Sequence, residues 1–109
     1  RYNQEEFKGL PAKKFRAALT AELGIEVAAS YIPLNKCSLY APLTKPARHK
    51  LTKEYWEAID PARFELPVCD HVHFDGSACI HHKVLMVTKA DMDLVAAAIR
   101  KVYDNAGLL

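Results

Sequence analysis

The two ends of the chain mirror each other, and that symmetry limits the folds open to it. Near the start, Phe15, Ala18, Leu19 and Leu23 fall at helical spacing, and an apolar stretch over 25–31 follows directly. Near the end the order reverses. An apolar, β-branched run over 79–87 leads into Met92, Val95, Ile99, Val102 and Tyr103, again at helical spacing. Apolar residues three and four apart share one face of a helix, and short β-branched runs favour a strand. Helix, strand, long excursion, strand, helix predicts an α+β domain of two layers, a short β-sheet packed by two main helices.

Local punctuation supports this reading. Pro11 suits the first helical position, and Gly24 suits the left-handed residue that ends the helix, with Ile25 placed to pack back on it. On the strand after it, Ile25, Val27 and Ala29 share one side, and Pro33 stops its pairing. Over 35–50, Pro42, Pro46 and many polar residues predict a long loop. Thr52 starts a short helix that runs through Tyr55, Trp56 and Ile59 to Asp60-Pro61, and 64–68 reads as a connection. Thr88 with Asp91 forms a capping box ahead of the last helix, which Gly107 ends.

With 109 residues, half of them hydrophobic and 26% charged, the composition is that of one globular domain over 1–109. A chain of this size buries roughly 65% of its unfolded surface, enough for one core. No apolar run approaches the ~18 residues of a membrane span, so a membrane role is not expected. A net charge of +2 argues against a dedicated nucleic-acid binder. That charge is uneven: Lys36, Lys45, Arg48, Lys50 and Lys53 fall together with no acid among them. A loop facing an anion, in an anion-binding interaction domain, is one reading of that stretch. Cys37, Cys69 and Cys79 read as free thiols of a cytoplasmic protein. The chain opens on Arg1 in mid-pattern, which reads as a segment cut from a longer protein.

Two constellations bear on chemistry. Cys69, His71 and His73 alternate, and Cys79 and His81 alternate, with His82 alongside. On extended chain each set shares a face, so a metal-binding or redox module is one alternative. Their spacing differs from the usual turns of structural zinc sites, and the simpler reading is small buried cysteines and half-buried, hydrogen-bonded histidines. Four scattered glycines leave no phosphate loop. The second constellation is Tyr31-Ile32-Pro33-Leu34, which sets a tyrosine at a strand mouth before a long loop, where sites are commonly built.

Taken in order, these motifs resemble a known family. Phe15-x-x-x-Leu19, Gly24-Ile25-Glu26-Val27, Ser30-Tyr31-x-Pro33-Leu34 and Leu39-Tyr40 are similar to the C-terminal part of DegT/StrS-type sugar aminotransferases. The opening 1–11 and the close through Cys79-Ile80-His81-His82 and Asp91-Met92-Asp93 resemble the branch acting on keto-cyclitols such as inososes. The resemblance covers essentially the whole chain. It implies a pyridoxal phosphate enzyme of fold type I, a homodimer that passes an amino group from glutamate or glutamine to a keto-sugar or keto-cyclitol. The Schiff-base lysine and the cofactor-binding groups then belong to a large domain of the same polypeptide, and this segment alone is expected to be inactive and to bind no cofactor. Its part is a wall of the substrate cleft, with Tyr31, Asn35, His81 and His82 as the candidates. The two histidines are expected on opposite faces of the last strand. Where many members carry histidine, this chain has Ser30 and Asn35.

Overall fold

The computed structural model describes residues 1–40 and 50–109. Helix α1 (Ala12–Leu23) starts one residue later than expected, with Pro11 as the flanking cap at φ −62. Proline has no N–H to leave unsatisfied at that end, and its carbonyl accepts the first helical bond from Phe15, at 3.0 Å. Gly24 ends the helix as predicted, at φ 66, and its N–H donates to the Thr20 carbonyl at 2.9 Å. Only glycine enters that region without strain, and the turn delivers the chain straight into strand β1 (Val27–Ala28). Thr20 Oγ1 fastens the junction by accepting from the Val27 N–H at 2.9 Å.

At the other end, the capping box is present as read. Thr88 Oγ1 accepts from the Asp91 N–H at 3.3 Å, and the Asp91 carboxylate accepts from the Thr88 N–H at 3.1 Å. Helix α4 (Lys89–Asp104) follows and closes on Asn105, whose side chain donates to the Lys101 carbonyl. It stops earlier than expected, and Gly107 falls in a separate 3₁₀ turn, Ala106–Leu108.

The core sits where α1 and α4 meet. Phe15 and Leu19 from α1 pack with Val27, Ala98, Val102 and Ala106, and Leu19 is the largest side chain that is fully buried. The N-terminal segment covers this core with rings. Tyr2 stacks on Phe15 at 4.7 Å, Phe7 meets Phe15 edge-on at 4.8 Å, and Tyr103 closes on Phe7 at 5.5 Å. The Tyr2 hydroxyl donates to the Leu10 carbonyl, and burial pushes its pKa up.

The sheet is a two-residue antiparallel ribbon, Val27 opposite Ile80 and Ala28 opposite Cys79 in strand β2 (Cys79–Ile80). The α+β class holds, but both strands are shorter than the predicted 25–31 and 79–87. Past Ala28 the backbone of Ser30 bonds to side chains rather than to a ladder. Past Ile80, His81 caps a 3₁₀ turn, His82–Met86, with Nδ1 accepting from the Lys83 N–H at 3.2 Å. β-branched residues favour a strand only where a neighbouring strand receives them.

The middle forms an elongated limb. Thr52 caps α2 (Lys53–Ala58) as expected, accepting from the Tyr55 N–H. The predicted connection at 64–68 instead runs into a third helix, α3 (Pro67–Phe74), with Pro67 in its first turn. The predicted loop over 35–50 opens with 3₁₀ turns Leu34–Lys36 and Ser38–Tyr40; its remainder, with Pro42, Lys45, Pro46 and Arg48, lies outside the described residues. The radius of gyration is 19.1 Å, against about 13 Å for a compact chain of ~100 residues.

Leu19→Ala is expected to cost ~2–5 kcal/mol, and half-buried Ile99→Ala less, in urea denaturation. Thr88→Ala removes one arm of the capping box and is expected to cost about 1 kcal/mol in the same assay. Because the folded Tyr2 hydroxyl has a raised pKa, its contribution is whole below the unfolded value near 10 and is lost as pH rises through the folded value. Tyr2→Phe is therefore expected to flatten the alkaline end of the stability–pH curve, which an unchanged curve contradicts.

Candidate functional site

A groove of about 660 Å³ opens beside the two-stranded ribbon. Its floor is apolar, from Ile25, Ala28, Ala29, Ile80 and Val84, and Glu26, Tyr31, Cys79, His81 and Lys83 bring polar groups to its walls. The ribbon places Tyr31 and His81 on the same groove. Tyr31 follows β1 by three residues and His81 follows β2 by one, so in this antiparallel pair they leave from opposite ends of the ribbon and line the groove from its two ends. The Tyr31 side chain is 99% exposed. It projects its phenol from a chain whose course is fixed just before it: the Ser30 N–H donates to Ser77 Oγ at 2.9 Å, and Ser30 O lies 2.7 Å from His73 Nδ1.

The other two sequence-chosen residues stand elsewhere. His82 is outside the groove lining, and its ring lies 4.3 Å from that of His81 at a 32° tilt. The expectation that these two histidines point to opposite faces of a strand therefore fails, because the 3₁₀ turn replaces the strand at that point. Asn35 braces the limb instead of lining the groove, donating from Nδ2 to the Phe64 carbonyl at 2.7 Å. Among the described residues its buried Oδ1 has no partner. Next to it, Lys36 pairs with Asp70 of α3.

The cysteine–histidine constellation loses the geometry that motivated it. Cys69, His71 and His73 lie on helix α3, so Cys69 and His73 share a side that His71 does not. Cys69 and Cys79 are exposed, contrary to the expectation of buried thiols, whereas His73 is half-buried and hydrogen-bonded as the simpler reading has it. Among the described residues no three Cys, His, Asp or Glu side chains come together as a metal site.

Two residues that fix the chain beside the groove, Ser77 and Arg16, are not singled out by the sequence. Ser77 is the buried polar residue of the described chain, and Arg16 on α1 donates to its carbonyl at 2.8 Å. Nothing in the sequence singles out Ser77. Pro67 with Val68 and Val72 was the available signal that His73 sits on a helix.

The groove can bind and orient a polar ring: the Tyr31 hydroxyl donates or accepts, the His81 imidazole offers its second ring nitrogen to a hydrogen bond, and the apolar floor supports a ring face. Its donor set does not fit pyridoxal phosphate. The lining offers one lysine, exposed Lys83, with the acidic Glu26 on the same groove, and no glycine whose backbone could cradle a phosphate.

No family model matches the chain. It is 41% identical over 96% of its length to L-glutamine:2-deoxy-scyllo-inosose aminotransferase of Streptoalloteichus tenebrarius, covering 24% of that protein. It is 37% identical over its whole length to the enzyme of that name from Streptomyces paromomycinus, covering 25% of it. Against L-glutamine:scyllo-inosose aminotransferase of Streptomyces griseus, identity is 38% over 87% of the chain and 22% of the relative. The chain thus spans about a quarter of the length of these relatives. By sequence the chain is similar to the C-terminal fifth to quarter of L-glutamine:inosose aminotransferases.

Proposed function

We propose that the chain is the C-terminal small domain of a DegT/StrS-type, pyridoxal phosphate-dependent aminotransferase that passes the amino group of glutamine to a keto-cyclitol. The observation that carries this reading is the 41% identity over 96% of the chain to an L-glutamine:2-deoxy-scyllo-inosose aminotransferase. The cofactor, when bound, supplies the electron sink for moving the amino group, and residues outside these 109 hold it. This chain contributes binding and orientation. The Tyr31 phenol hydrogen-bonds a ring hydroxyl of the acceptor, His81 bonds a second one, and the floor at Ile25 and Ile80 excludes water from the ring face.

The limb supports a partner in the same polypeptide. Leu34, Leu39 and Val68 on the limb, and Leu85 and Met86 in the turn after β2, are all more than 60% exposed, apolar surface that a covering domain would bury. We place the large cofactor-binding domain against this arm, in a cytoplasmic homodimer. No helix among the described residues is long and apolar enough to cross a membrane.

The full-length protein is expected to show the visible absorbance of bound pyridoxal phosphate, while the 109-residue chain shows none with cofactor added. Stoichiometric cofactor binding by the chain alone contradicts this division of labour. In the full-length enzyme, Tyr31→Phe is expected to lower kcat/KM for the keto-cyclitol about tenfold with the melting temperature unchanged. Kinetics equal to wild type remove Tyr31 from the site.

A further inference from the structure

We propose that His73 and Ser77 are positioning residues for Tyr31, gripping the backbone of Ser30 and thereby setting where the phenol stands at the groove. The proposal rests on the reading of Tyr31 as a cleft residue. Tyr31 makes no hydrogen bond within the described structure and is 99% exposed, so no contact of its own side chain fixes its aim. What is fixed is the peptide before it. Once the ribbon ends at Ala28, the N–H and C=O of Ser30 lack a ladder partner, and an unpaired, half-buried backbone group is costly. Both are taken by side chains more than forty residues away, the N–H by Ser77 Oγ at 2.9 Å and the carbonyl by His73 at 2.7 Å.

A carbonyl only accepts, so His73 donates from Nδ1 and keeps Nε2 free of that proton. The grip is itself anchored. The Arg16 guanidinium donates to the Ser77 carbonyl at 2.8 Å and reaches toward the Phe74 carbonyl at 3.4 Å, tying the end of α3 to the core helix α1. The His73 ring also meets Phe74 edge-on at 4.6 Å, which restrains its rotation. A rigid chain of contacts therefore runs from the core through α1 and the end of α3 to the residue before Tyr31. Holding the backbone that carries a binding group before the ligand arrives spares that part of the entropy of ordering it on binding.

The test is a double-mutant cycle in the full-length enzyme, with the two half-reactions followed separately. His73→Ala is expected to reduce kcat/KM for the keto-cyclitol about tenfold and to leave the glutamine half-reaction unchanged. His73→Asn, whose Nδ2 sits near the position of the lost Nδ1, is expected to restore most of that loss. In a Tyr31→Ala background, His73→Ala is expected to add nothing. Ser77→Ala should repeat the pattern, and His71→Ala, on the exposed side of α3, should be silent. Losses that add in the double mutant, or that fall equally on both half-reactions, overturn the positioning role while leaving the cleft reading intact. A silent Tyr31→Ala overturns both.

Discussion

The packing of Phe15 and Leu19 of α1 against Ala98 and Val102 of α4 is the contact on which the rest of this structure depends. The ribbon is only two residues long on each side, far too short to stand without a supporting helix. It exists because Gly24 turns the chain at the end of α1, Thr20 receives the Val27 N–H, and Val27 then drops into the same core. The ring cluster of Tyr2, Phe7, Phe15 and Tyr103 closes the opposite end, so that the sequence-distant termini seal one small core.

From that core the structure extends outward in a graded way. Arg16 carries the rigidity of α1 to the end of α3, and His73 and Ser77 carry it on to Ser30. Beyond Tyr31 the limb is held by lighter devices. These include the Asn35–Phe64 bond and the Lys36–Asp70 pair, which is partly exposed and so of modest worth. The leucines of the arm are exposed rather than buried, which supports the proposed covering by a larger domain, as does similarity to one quarter of a longer enzyme.

Much of this order was legible wherever the signal was local. Gly24, Thr52 and the Thr88–Asp91 box act through the backbone within a few residues of themselves, so sequence alone locates them. The strand lengths were not legible, because Val84 and Val87 read as strand formers while only a partner strand makes a strand, and among the described residues none receives them. Helix α3 carries a weak local signal, since Pro67 suits a connection as well as a helix start. The helix changes the site: Cys69, His71 and His73 are helical neighbours, and His73 bonds the Ser30 backbone. Of the four cleft candidates, Tyr31 and His81 do share a groove; Asn35 is taken by a bond to Phe64 across 29 residues, and His82 is turned aside by a 3₁₀ turn that no spacing rule contains.

The central claim is that these 109 residues supply a wall of an aminotransferase cleft whose chemistry lies in the remainder of the polypeptide. Complementation measures it most directly: the chain and the remainder are expressed separately, mixed with pyridoxal phosphate, and assayed for transfer from glutamine to scyllo-inosose. The account predicts no transfer by either part alone and transfer on mixing. Full activity of the remainder without this chain would contradict it.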